Sequence, residues 1–171
     1  KNKLKKMVEP FSLRRNKKDV LKELPEKIEQ IIKIDFSEEE KKLYYANLAS
    51  ISEELQTRIK DNNFDKIAVL AMLTRLRQLC IEPRLIYENI NTLSSKLESA
   101  LDIIDTYKQN NKKLLFFSSF TGAFKLLIPI LEKEKIKYHI LTGETEKTVR
   151  RELVNKFQND DSTIFLISLK A

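Results

Sequence analysis

The chain has 171 residues, 42% of them hydrophobic and 33% charged, with a net charge of +7 and a pI near 9.4. That is a globular composition, long enough to bury a substantial core, and its excess of cations suits a polyanionic partner. A single cysteine, Cys80, excludes an intrachain disulfide and a thiolate metal cluster, and a single histidine, His139, excludes most zinc and imidazole-base chemistry.

No apolar run is long enough to cross a bilayer, and Lys1 to Lys6 lack the apolar core of a secretory signal, so a reducing, cytoplasmic setting is expected. The start at Lys1 without methionine and the end at Ala171, just after a strand-like run, read as cuts inside a longer protein. Richness in lysine, asparagine and isoleucine suggests an AT-biased, bacterial genome; a eukaryotic source would imply the nucleus.

In chain order, residues 1–24 are basic, with apolar positions at Leu4, Met7, Val8, Phe11, Leu13, Val20, Leu21 and Leu24. A short helix is predicted over 17–23, ended by Pro25. The isoleucine-rich stretch 28–36 reads as a strand by its β-branched content. Ser37 and Glu40 form a capping-box pattern, opening a helix with Tyr44, Leu48, Ile51, Leu55 and Ile59 on one stripe until Asp61-Asn-Asn63 breaks it. A second helix carries Ile67, Leu70, Leu73, Leu76 and Cys80 on its apolar face and stops near Pro83, making an antiparallel pair.

Ser95 and Glu98 read as another capping box, for a helix turning Leu97, Leu101, Ile104 and Tyr107 inward. The rhythm then alternates: strand 113–118, helix 120–133, strand 137–141, a helix capped by Thr145 carrying Val149, Leu153 and Phe157 at four-residue spacing, and strand 163–168. Alternation of this kind predicts a parallel sheet. Pro129 falls inside its helix, where a kink or two shorter pieces are expected.

Gly122 and Gly143 are the only glycines, so no phosphate-cradling P-loop exists in this chain and it cannot build a complete ATP site alone. The acidic run Glu38 to Glu40 suits a helix amino terminus better than a metal. Arg75, Arg77 and Arg84 read as solvated or bridging to acidic neighbours rather than as DNA contacts. Cys80 reads as a packed apolar residue and His139 as structural.

Several segments, in order, resemble the Swi/Snf-type DNA-dependent ATPases of helicase superfamily two. Phe11-Ser-Leu-Arg-Arg-Asn-Lys-Lys-Asp-Val20, with Leu24-Pro-Glu-Lys27 after it, is similar to the family's junction into its second motor lobe. Leu76-Arg-Gln-Leu-Cys-Ile-Glu-Pro83 resembles Leu-Arg-x-x-Cys-Asn-His-Pro, with Ile81-Glu82 in place of Asn-His. Ser94-Ser-Lys-Leu97, Phe117-Ser-Ser-Phe-Thr121 (motif IV), Leu141-Thr-Gly-Glu-Thr145 with Arg150, and Ser168-Leu-Lys-Ala171 (the start of motif V) complete the series. Glu144 stands where a small serine is common in the family, which weakens the case for phosphate contact by that loop.

The resemblance implies an α/β fold: a truncated RecA-like, three-layer parallel sheet with a basic N-terminal linker and a helical-hairpin insertion. It divides the chain into an interlobe linker (1–27), a first strand plus helical insertion (28–92) and part of the second motor lobe (93–171). It further implies a parent that uses ATP and magnesium to move on double-stranded DNA, with the N-terminal RecA-like lobe as partner. The chain alone is expected to be inactive as an ATPase. Ser118, Thr142, Gly143, Arg150 and Ser168 become the expected DNA-backbone contacts, and Arg14 and Arg15 the interlobe contacts. Without the resemblance, Ser118 and Thr142 are strand-end hydroxyls that most often cap a helix, and Arg150 would pair with Glu146. The alternative is a stand-alone basic α/β nucleic-acid-binding or interaction module. Self-association through an unfinished sheet edge is expected for the isolated chain.

Overall fold

The computed structural model describes residues 7, 11–12, 27–61 and 65–170. The helix expected at 17–23 and the expected interlobe contacts Arg14 and Arg15 lie outside these residues. The chain divides into two compact units, 1–33 and 34–171. In the first, Lys27 pairs with Glu29, and Ile28, Ile31 and Ile32 are exposed. The strand expected over 28–36 does not form. Isoleucines at 28, 31, 32 and 34 give β composition without period-two alternation, and among the described residues the stretch has no ladder partner to make a strand.

In the second unit, helix α1 spans Glu38–Lys60 and opens with the expected capping box. The Ser37 hydroxyl accepts from the Glu40 amide at 3.2 Å, and the Glu40 carboxylate accepts from the Ser37 amide at 2.8 Å. Helix α2 spans Lys66–Leu79, with the Asp65 carboxylate capping the Ile67 amide. The pair buries Ile51, Met72, Leu76 and Leu79, joined by Leu43, Tyr44, Leu55, Ile86 and Tyr87. This corrects the expected α2 face: Leu76 packs inward, whereas Ile67 is 78% exposed and Leu70 and Leu73 also face solvent. Apolar residues surround α2, so its own sequence does not choose between two stripes and contact with α1 decides.

Pro83–Leu85 forms a 3₁₀ turn leading to α3, Ser95–Gln109. The α3 cap is Ser94 rather than the expected Ser95: its hydroxyl accepts from the Leu97 amide at 3.1 Å and donates to the Ile81 carbonyl at 2.8 Å. Ser95 turns to Glu40, giving that carboxylate its amide at 3.2 Å and its hydroxyl at 2.5 Å. Glu40 therefore caps the starts of α1 and α3 together and ties the hairpin to α3.

The alternating half contains β1 (Leu114–Ser118), α4 (Gly122–Lys133), β2 (Tyr138–Leu141), α5 (Lys147–Asn159) and β3 (Ile164–Ser168). The strands form one parallel sheet in the order β1-β3-β2, with Ser118 opposite Ser168 and Leu141 opposite Ile167. One sheet face (Leu114, Phe116, Tyr138, Ile140, Ile164, Leu166) packs on Leu97 and Ile104 of α3 and on Phe124, Leu127 and Leu131 of α4. On the other, Phe157 of α5 meets His139 and Phe165. The result is the three-layer parallel α/β arrangement expected. Leu115 and Phe117 on edge strand β1 stay about half exposed.

Helices α3 and α4 both end in Schellman motifs. Lys112 donates to the Tyr107 carbonyl and Ile136 to the Leu131 carbonyl, with Asn111 and Lys135 in the left-handed region at φ 51° and 54°. Helix α4 runs through Pro129 as one element rather than two. At the sheet's amino-terminal edge, Asp160 joins His139 at 2.6 Å and both the amide and hydroxyl of Ser162, while Lys113 donates to the Asp160 carbonyl at 2.7 Å. His139 is thereby structural, as expected.

Candidate nucleic-acid interface

Parallel pairing carries all three strands out at the same edge, so Ser118, Thr142 and Ser168 come together at the carboxyl ends of β1, β2 and β3. Loops leave this edge into α4 and α5, and a cleft of about 700 Å³ opens between them. Its floor is apolar (Leu85, Phe124, Ile128, Ile140). Its rim holds Thr121, Thr142, Gly143 and Ser168 with the cations Lys125 and Lys170, and Glu144 is its one acidic lining residue.

The hydroxyls are not equivalent. Ser118 is buried, and its oxygen both accepts from the Phe120 amide and donates to the Phe120 carbonyl, each at 3.1 Å. Ser168 is buried and accepts from the Lys170 amide at 3.2 Å. Thr142 is half-buried and accepts from the Glu144 amide at 3.3 Å, with its hydroxyl proton left to donate toward the cleft. Each oxygen fixes the loop that follows its own strand. Thr145 likewise does not cap α5 as expected. Its hydroxyl accepts from the Thr142 amide at 3.0 Å, folding the β2 loop on itself, and α5 starts after Glu146, its N-cap residue, without a side-chain cap.

Arg150 does not pair with Glu146. Its guanidinium donates to the Thr145 carbonyl at 3.0 Å and reaches the Thr142 carbonyl at 3.5 Å, bracing the β2 loop from α5. Gly143 is exposed, and a Cβ there would lie 3.4 Å from the Lys170 carbonyl, so the β2 and β3 loops run side by side with backbone accessible. Helices α4 and α5 both begin at this edge without side-chain caps, and their positive dipole ends favour anions.

The three arginines near Cys80 have separate partners. Arg75 donates to Asn47 at 3.2 Å and to the Tyr87 hydroxyl at 3.0 Å, drawing that phenol below its usual range against the opposing effect of burial. Arg84 pairs with Glu82, and Arg77 lies over the Phe120 ring at 5.8 Å. Burial pushes the Cys80 thiol up, as befits a packed, unreactive residue.

Sequence reading missed Glu82. It is 0% exposed, and it accepts from Arg84 Nε at 3.0 Å and Nη2 at 3.2 Å and from the Ser94 amide at 3.1 Å. Burial, the largest single influence, pushes its carboxyl up. The Arg84 guanidinium and the Ser94 and Arg84 amides together outweigh it and hold the group below its usual range. The available signal was its place in the Cys-x-x-Pro segment, two residues before Arg84.

Residues 1–85 match the SNF2-related domain and residues 95–171 the helicase conserved C-terminal domain. An uncharacterized ATP-dependent helicase of Mycoplasma pneumoniae is 32% identical over 95% of this chain, which spans 15% of that protein. The transcription regulatory protein SNF2 of Saccharomyces cerevisiae is 29% identical over 98% of the chain, which spans 11% of it. Among solved structures, the Sulfolobus solfataricus SWI2/SNF2 ATPase core in complex with dsDNA superposes with a TM-score of 0.70 and 28% identity, covering 98% of this chain and 36% of that one. The chain belongs to the Swi/Snf-type family of superfamily-two helicases, its parallel sheet being part of the RecA-like C-terminal motor lobe.

Proposed function

We propose that the chain is part of an ATP-dependent translocase on double-stranded DNA, and that its sheet edge grips the sugar-phosphate backbone while ATP is used elsewhere in the parent protein. Residues 1–27 would then link the lobes, the hairpin segment would extend to about residue 92, and the rest would form part of lobe two. The observation that carries this reading is the convergence of three strand-end loops, the uncapped start of α4 and the lysines Lys125 and Lys170 on one cleft. Amides and ammonium groups of this kind hold phosphate without reading bases. The family's relatives are named for ATP dependence, and a similar ATPase core is known with duplex DNA.

ATP fits poorly on the residues present. The described edge offers no glycine-rich amide cradle, and a lone Glu144 is a poor magnesium site. The nucleotide and magnesium would be held mainly by other parts of the parent, and the chain alone would not hydrolyse ATP; sustained turnover by the purified 171-residue chain would overturn this. The DNA reading is tested by fluorescence anisotropy with a duplex at rising salt. Affinity should fall linearly on a log–log plot, and Lys125→Ala and Lys170→Ala should each flatten the slope by about one unit. Salt-independent affinity, or slopes unchanged in both variants, would refute it.

A further inference from the structure

The β2 loop is braced from within the lobe by Arg150, and the β3 loop lies against it at Gly143. The β1 loop, 119–121, is different. Ser118 holds its backbone from the strand side, while its outer side meets the end of the hairpin. Arg77 of α2 lies over the Phe120 ring, Gln78 lines the same cleft as Thr121, and Leu85 sits so close to Gly122 that a Cβ there would come within 2.8 Å of its Cδ2. The hairpin end is itself fastened to the lobe by Glu82 on Ser94 and Glu40 on Ser95.

Among the described residues Arg77 has no carboxylate partner, whereas Arg84 is taken by Glu82 and Arg75 by Asn47 and Tyr87. Its guanidinium is directed to an aromatic ring, an attraction favoured for arginine. We infer that Arg77 is a positioning residue for the β1 loop: it fixes Phe120, and through it the 119–121 backbone, where that loop reaches the nucleic acid. The hairpin is then a brace for one of the three gripping loops, and Arg77 acts on DNA without touching it. This rests on reading the sheet edge as the DNA grip.

The test uses the whole 171-residue chain with Arg77→Ala, Arg77→Lys, Phe120→Leu and the double variant Arg77→Ala/Phe120→Leu. Amide hydrogen exchange over 119–123 is measured without DNA, and duplex affinity by anisotropy across a salt series. Arg77→Ala should speed exchange at these amides by about two- to five-fold and weaken binding by a similar factor, as loss of one cation–aromatic contact implies. Its salt slope should match the wild type, Arg77→Lys should recover part of the loss, and Arg77→Ala should add nothing once Phe120 is leucine. A direct phosphate contact would instead flatten the slope by about one unit and leave exchange unchanged. That result, or additive effects in the double variant, overturns the inference. Wild-type chain that binds no duplex would overturn the DNA reading and the affinity half of this proposal, while the exchange result still decides whether Arg77 positions the loop.

Discussion

Arg84→Ala is the most informative perturbation of this fold, because it strands a carboxylate with no access to water. Glu82 is fully buried and keeps its charge through the Arg84 guanidinium at 3.0 and 3.2 Å and two backbone amides. Removing one partner of a buried pair costs about 3–5 kcal/mol, because an uncompensated charge remains. Two amides stay on the carboxylate and the Arg84 side chain lies close to solvent, so about 2–3 kcal/mol is expected here. Glu82→Ala should cost less, since the freed guanidinium can turn to water, leaving mainly the Ser94 amide without an acceptor. The sign with pH follows from the lowered folded pKa of Glu82. Stability from this carboxylate is fully present above its unfolded value, about 4.3, and is lost as pH falls through the lower folded value. The deficit of Arg84→Ala should therefore shrink on acidification as Glu82 takes up a proton. Urea denaturation of wild type and both variants at pH 7 and in the acid range measures this. A deficit under about 1 kcal/mol at pH 7, or one that does not change with pH, would refute the account.

Lys135 occupies the left-handed position that ends α4, where a Cβ is strained, and its side chain is exposed. Lys135→Gly should raise stability by about 0.5–1 kcal/mol, read as a higher urea midpoint; a loss would show that the strain is negligible. Asp160 is held well below the usual carboxylate range, first by the Ser162 hydroxyl and then by His139. Its contribution is present above the unfolded pKa and is lost as pH falls through the folded one. Asp160→Asn should lose less melting temperature than wild type on acidification, and parallel profiles would show that this cluster does not matter to acid stability.

The parts of the fold legible in sequence were those decided within one turn or one strand. Ser37 and Glu40 announce α1 because both halves of the box are local, and the apolar runs ending at Ser118 and Ser168 suit strands covered on a face. What the sequence hid depends on distant partners. Two adjacent serines both qualify to cap α3, and the choice turns on Glu40, 55 residues away, which takes Ser95. The buried face of α2 depends on α1, and the isoleucines of 28–36 have β composition but no ladder. The site was legible as a set of strand ends and illegible as chemistry. Ser118, Thr142 and Ser168 do share an edge, but residue type does not tell whether a hydroxyl faces a ligand or its own loop. Glu82 was hidden because a carboxylate two residues from an arginine looks like an ordinary surface pair.

On the DNA reading, this distribution of partners moves the grip from hydroxyls to backbone and lysine. Ser118 has spent both its donor and its acceptor on Phe120, and Ser168 is buried against Lys170, so Thr142 is the hydroxyl best placed to donate outward. Gly143 matters here by closeness rather than by an unusual dihedral: its φ is not positive, but a side chain would stand against the Lys170 carbonyl, between the β2 and β3 loops. Glu144 beside it repels phosphate, which places the cationic share of the contact on Lys125 and Lys170, which line the same cleft. Contacts of this kind sense charge and spacing rather than base identity. Displacing any one loop should then weaken all duplex sequences alike, which is why the residues that hold the loops, Ser118, Arg150 and Arg77, should matter to binding as much as the groups that meet the phosphates.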